Sequence, residues 1–215
     1  MRKKWIKIMM IYVFTSILTF ILIETANSKD DKDRVNLQQI QYKLKEMGYI
    51  PDENGKYGAK TKWAIIAFQK VNKIKVDGII GKETLKALEN PRMVEPKIKE
   101  NEKHIEVDLK TQVMLIVENN NVKYIIPISS GKNNSTVKGK FRIYRAIRGW
   151  HKVKGRPWSG YVHNPLYFYK AYAIHGYITV PNRPMSHGCI RIPLCYSDII
   201  FKHIVENKIY TVYIY

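Results

Sequence analysis

Residues Ala173–Ile192, AIHGYITVPNRPMSHGCIRI, bring together two histidines and a cysteine, each beside a glycine: His175-Gly176, then Ser186-His187-Gly188-Cys189. A thiol with an ordinary pKa near 8.5 is a poor nucleophile at neutral pH until its thiolate is stabilised. A nearby imidazole does this by taking the proton and holding the ion pair. Glycines let backbone amides approach a bound group closely, and such amides are the usual oxyanion donors in acyl transfer. These residue types point to a cysteine acyl-transfer enzyme. Three other readings stand beside it: Cys189 as a buried structural thiol, a disulfide with Cys195, or zinc held by Cys189, His175 and His187. Two cysteines in 215 residues make no disulfide framework. Neither an HExxH nor a paired CxxC is present, so no metal or cofactor is expected.

The order Ser-His-Gly-Cys-Ile-Arg, with a His-Gly upstream, resembles the signature of the L,D-transpeptidase (YkuD-type) family. The match runs through His175, Gly176, Ser186, His187, Gly188, Cys189 and Arg191, and Val180-Pro181 and Pro184 fit one subgroup of it. The resemblance implies a β-sandwich catalytic domain acting on peptidoglycan stem tetrapeptides. It makes Cys189 the nucleophile toward the carbonyl that joins the third stem residue to D-Ala, and His175 the base. Gly176 would hold His175 through its backbone, and the amides of Gly188 and Cys189 would steady the oxyanion. Ser186, His187 and Arg191 would support the loop or pair with a substrate carboxylate. A second stem's amine then takes the thioester, cross-linking third-position residues; water in its place gives an L,D-carboxypeptidase. The chain departs from the family at Thr136-Val137-Lys138-Gly139, where members read Thr-Pro-x-Gly, which predicts a looser turn. It departs again at Asn207-Lys208-Ile209-Tyr210, in place of a Gly-Thr-x-Val turn.

The elements that must position these residues read as strands. Ile105, Val107 and Leu109 alternate with polar residues, Val113–Val117 is a β-rich run, and Asn119-Asn120-Asn121 turns into Val122–Ile128. Phe141–Tyr144 is a further strand, Tyr172–Ile174 leads into His175, and Lys208–Tyr215 alternates again. Ser197 is placed to cap a helix carrying Ile200, Phe201 and Ile204. Residues 104–215 are therefore expected to form the catalytic domain. Trp150, Trp158, Tyr161, Tyr167, Phe168, Tyr169 and Tyr172 cluster upstream of the thiol, as a substrate wall or as sheet packing. His151, His163 and His203 match no motif position and read as surface or packing residues.

Ahead of this domain, Leu37, Ile40, Leu44 and Met47 fall at helical spacing and Gly48 supplies a stop. Asn54-Gly55-Lys56-Tyr57-Gly58-Ala59-Lys60-Thr61 then recurs as Asp77-Gly78-Ile79-Ile80-Gly81-Lys82-Glu83-Thr84. Each copy predicts a tight loop opening a helix, over Thr61–Val71 and Thr84–Leu88. With Leu37-Gln38 and Phe68-Gln69, this pattern resembles the three-helix peptidoglycan-binding-like modules. The module spans 35–90, with residues 91–103 as a linker, and would tether the enzyme to its substrate. Trp63 reads as core; Tyr49 and Tyr57 fit either core or sugar stacking.

Residues 1–28 read as an export segment. Arg2, Lys3, Lys4 and Lys7 precede the uncharged run 8–23, which predicts an uncleaved signal-anchor with the rest of the chain outside the cytoplasm. The rival reading is a cleaved signal peptide and a secreted protein, but no good Ala-x-Ala site follows the run. The expected fold class is α+β and multidomain: this transmembrane or signal helix, a small three-helix bundle, and the β-rich domain. Net charge is +19, from 37 Lys and Arg against 18 Asp and Glu. Nothing resembles a nucleic-acid module, so the counter-charges fitting an exported chain are anionic wall polymers or lipid head groups. Two rival classes remain at this point: a non-catalytic wall-binding protein and a zinc peptidase.

Overall fold

The computed structural model describes residues 37–153 and 160–215. The export segment of 1–28 and Trp158 lie outside the described residues. Among the described residues no helix is long and apolar enough to cross a membrane.

Three helices come first: α1 (Leu37–Glu46), α2 (Ala59–Asn72) and α3 (Lys82–Glu89). The repeated glycine–threonine motif is explained by a pair of glutamines. Gln41 of α1 accepts the Gly55 N–H on Oε1 at 2.8 Å and gives Nε2 to Lys56 O at 2.7 Å and Thr61 Oγ1 at 2.9 Å. Gln69 of α2 repeats the arrangement, accepting the Gly78 N–H at 2.8 Å and donating to Ile79 O and Thr84 Oγ1, both at 3.0 Å. Each buried amide thus satisfies a tight loop and the first turn of the next helix at once. The repeat is a structural duplication, and its front glutamine is Gln41 rather than Gln38. Tyr49 is buried edge-on against Phe68, Trp63 is partly buried against the core, and Tyr57 is exposed with its hydroxyl bonded to Gly78 O.

Two sheets follow. The first contains β1 (His104–Asp108), β2 (Val113–Glu118), β3 (Asn121–Pro127), β4 (Gly139–Arg142) and β10 (Thr211–Ile214), in the order β3-β2-β1-β10-β4. The second contains β5 (Arg145–Ala146), β7 (Gly160–Tyr169), β8 (Tyr172–Tyr177) and β9 (Ile190–Pro193), in the order β5-β7-β8-β9, with β6 (Trp150–Val153) also paired to β7. Helix α4 (Leu194–Glu206) leaves β9 directly. Pro193 caps it, so Ser197 lies inside the helix rather than at its cap, and its Oγ sits 3.0 Å from His163 Nδ1.

The main core lies between the sheets. Ile105, Met114, Ile126 and Val212 of the first meet Leu166, Ile174 and Ile190 of the second, with Tyr196, Ile200 and Ile204 of α4. A second core covers the other face of the first sheet. Val113, Leu115, Val117 and Ile125 pack there against Leu44, Ile65 and Phe68 of the helices. β2 is therefore apolar from Val113 to Val117, because both its faces are covered there. Residues 97 and 98 are tied down too: buried Glu106 accepts both their backbone N–H groups at 3.0 Å and the Tyr215 hydroxyl at 2.6 Å.

Candidate active site

β8 and β9 run parallel, with Ile174 opposite Ile190 and His175 opposite Arg191. Ile174 and Ile190 are both fully buried in the sandwich core. Because side chains alternate along a strand, His175 and Arg191 take the opposite face, and Cys189 directly precedes β9. Cys189 therefore lies two residues from the strand position that faces His175 across the β8–β9 pair. Cys189 is partly exposed, with Sγ 3.8 Å from Ala171 O.

His175 is 3% exposed, and its Nδ1 lies 3.0 Å from Gly176 O. A carbonyl only accepts, so Nδ1 carries the hydrogen and the lone pair of the neutral ring is on Nε2. Burial pulls the imidazole down to about 4, with the Arg191 guanidinium acting in the same direction and the Gly176 carbonyl opposing both. The ring is neutral at pH 7, as a general base must be. Arg191 lies over the Tyr177 ring at 4.4 Å, and Tyr177 meets His175 edge-on at 5.7 Å.

The nucleophile loop is held by its own hydroxyl. Ser186 Oγ donates to Cys189 O at 2.5 Å and accepts the Gly188 N–H at 3.0 Å. The Gly188 amide, expected as an oxyanion donor, is therefore committed to Ser186. Its glycine is required for other reasons: φ is +131°, and a Cβ would run into the Tyr172 ring. Gly176 is required by packing, since a Cβ there would collide with Ser197. Thr136 enters the sequence reading only as the first residue of the departing turn, yet its hydroxyl accepts the Gly131 N–H at 2.7 Å and donates to Gly188 O at 3.0 Å.

The aromatic cluster divides. Phe168 faces the core; Tyr172 stacks on Tyr169 at 6.0 Å beside the loop. Tyr167 is near enough to Cys189 that the thiol adds to burial in raising its phenol. Trp150 and Tyr161 are exposed on the β6–β7 ribbon. His187 is exposed; His163 packs against Trp150 at 4.9 Å, and His203 sits 2.8 Å from Glu118. No disulfide joins Cys189 to Cys195, and burial pushes the Cys195 thiol up to about 11. The disulfide reading therefore falls. Among the described residues no three His, Cys, Asp or Glu side chains are grouped as metal ligands.

Residues 102–214 match the model of the L,D-transpeptidase catalytic domain. The chain belongs to the L,D-transpeptidase family. Residues 33–88 match a peptidoglycan binding domain. An L,D-transpeptidase from Xylanimonas cellulosilytica is 29% identical, with a TM-score of 0.73 over 84% of this chain and 93% of that one. One from Stackebrandtia nassauensis, 21% identical over 83% of this chain and 90% of that one, has a TM-score of 0.50 and speaks to the fold alone. No curated protein matches the chain. This L,D-transpeptidase is a cell-wall enzyme with peptidoglycan as its substrate, and its β-rich catalytic domain follows the helical domain.

Proposed function

We propose that this L,D-transpeptidase acts on stem tetrapeptides by cysteine acyl transfer. Cys189 Sγ bonds to the carbonyl carbon between the third residue and D-Ala while its proton passes to His175 Nε2. The Cys189 amide faces the developing oxyanion, since the Gly188 amide is taken by Ser186. The C–N bond then breaks, His175 returns the proton to the leaving D-Ala amine, and a thioester remains. The side-chain amine of another stem attacks the thioester and gives its proton to His175, which regenerates the thiol and cross-links two third-position residues. Arg191 and the exposed His187 are placed to meet substrate carboxylates, while Gly176 holds His175 through its carbonyl.

The observation that carries this reading is the pairing of His175 with Arg191 across β8–β9, two residues from Cys189. Exposure to a carbapenem followed by intact-mass measurement tests it: a covalent adduct is expected on the wild type and none on Cys189→Ala. D-Ala release retained by Cys189→Ala overturns it. With water as acceptor the same site is an L,D-carboxypeptidase; a purified stem dimer rather than a tripeptide product separates the two. An enzymatically silent wall-binding protein would give neither product nor adduct.

The proposal extends to location. Residues 8–23 form a signal-anchor with a basic cytoplasmic flank, leaving the helical and catalytic domains outside. The +19 charge then faces anionic wall polymers or lipid head groups. Protease added to intact protoplasts should digest the catalytic domain; full protection would refute this placement.

A further inference from the structure

One helix touches the supports of both reacting groups. Near the start of α2, Lys60 O accepts the Tyr196 hydroxyl at 2.7 Å. Tyr196 is 0% exposed, and the residue after it, Ser197, fills the space against Gly176, whose carbonyl fixes the His175 ring. Ten residues on, about 15 Å along the helix, Lys70 Nζ donates to Gln112 O at 3.2 Å and Ile128 O at 3.0 Å. The Gln112 side chain is paired with Ser130, giving Nε2 to its Oγ at 2.8 Å and accepting its N–H at 2.9 Å. Ser130 O in turn accepts the N–H groups of Met185 and Ser186, at 2.9 and 3.0 Å. Ser186 then holds Gly188 and Cys189. A third tie reaches the loop between the two reacting groups: Asn182 Nδ2 donates to Val76 O at 3.0 Å, just past α2.

We propose that α2 is a brace that sets the spacing of His175 and Cys189, with Lys70 and Tyr196 as positioning residues. The helical domain then contributes to the chemical step as well as to wall attachment. Burying an ammonium group against carbonyl oxygens alone is costly. That cost sits at the point where α2 meets the Gln112–Ser130 frame, and burial holds Lys70 down to about 8. A plain apolar contact would seal the two cores equally well, but it would not fix the carbonyls of Gln112 and Ile128 in one place. Proton transfer is sensitive to such placement: misplacement by about 1 Å costs on the order of 100-fold.

The inference rests on the proposed reaction only in choosing which two groups must be spaced. It is tested on the full chain in detergent with Lys70→Met and Tyr196→Phe. Iodoacetamide alkylation of Cys189 is followed against pH, with peptide mapping to separate it from Cys195. The expected result is a pH midpoint displaced by about half a unit or more in each variant. D-Ala release should show kcat lowered by about tenfold with KM within about twofold. Thermal midpoints above the assay temperature identify folded protein, and Tyr196→Phe, which loses a single hydroxyl, decides the matter where Lys70→Met does not fold. Folded variants with the wild-type alkylation profile and kcat overturn the brace. A wild type that releases no D-Ala sinks the reaction proposed above, while the alkylation profile still decides the brace.

Discussion

Ser186 Oγ donates to the carbonyl oxygen of Cys189 at 2.5 Å, while the same oxygen atom accepts the Gly188 N–H at 3.0 Å. One buried hydroxyl therefore closes the turn that presents the nucleophile. Ser186→Ala removes both bonds and leaves a buried amide and a carbonyl to find other partners. We expect kcat for D-Ala release to fall about 10- to 100-fold with KM little changed. Ser186→Thr keeps the hydroxyl and should retain most of the rate. Steady-state kinetics on a tetrapeptide stem decide this; an alanine variant at wild-type kcat would show that the turn holds without its hydroxyl.

The pH dependence of the reaction follows from the burial of His175. Its imidazole is pulled from 6.5 to about 4, so the base remains unprotonated well below neutrality. The acid limb of kcat/KM should therefore lie below pH 6, toward about 4, and not at the ordinary histidine value. Stability carries the opposite face of the same shift. Between about 4 and 6.5 the unfolded chain binds a proton that the folded chain refuses, so stability rises with pH across that window. The loss on acidification amounts to about 3 kcal/mol. Urea titrations at several pH values should show this slope, and His175→Gln should flatten it.

Gly176 and Ser197 occupy one another's space: a Cβ on the glycine would overlap the serine side chain. Gly176→Ala should destabilise the fold by about 1–3 kcal/mol through overpacking. The double variant Gly176→Ala, Ser197→Gly opens the room again and should recover at least half of that loss. Denaturant midpoints measure it directly. Strict additivity of the two changes would show that the pair does not compete for space.

The residues of the site were legible in the sequence because His175, Ser186, Gly188 and Cys189 sit in one short stretch with chemistry in their side chains. Their reasons were less legible. Gly188 read as an oxyanion donor, whereas its amide goes to Ser186 and its missing Cβ admits Tyr172; Gly176 read as the holder of His175, and its carbonyl does meet that ring, but its missing Cβ also admits Ser197. Thr136 is far from Gly188 in the chain, and no local pattern announces that its hydroxyl bonds there. The glycine–threonine repeat gave the helices, but the glutamines that explain it lie outside the repeated segments. The apolar run 113–117 gave a strand, and its lack of alternation was the sign of a second covered face. That sign alone does not say that the helical domain is the cover. Lys70 showed least of all: a lysine in a helix reads as solvated, and only the fold turns it toward Gln112 O and Ile128 O.

Lys70 also makes a prediction that needs no substrate. Burial lowers its ammonium from 10.5 to about 8. Between those values the unfolded chain holds a proton that the folded chain has given up, so unfolding takes up a proton and stability rises with pH. The penalty is fully developed below about 8 and gone above 10.5, a difference of about 3 kcal/mol. Most proteins lose stability on that alkaline side as tyrosines and lysines titrate, so the Lys70 contribution is read as the difference between the wild type and Lys70→Met. The difference curve should climb through that window and be flat below it. A difference curve without slope there would mean that Lys70 keeps an ordinary pKa and that the contact with Gln112 and Ile128 is wetter than the structure shows.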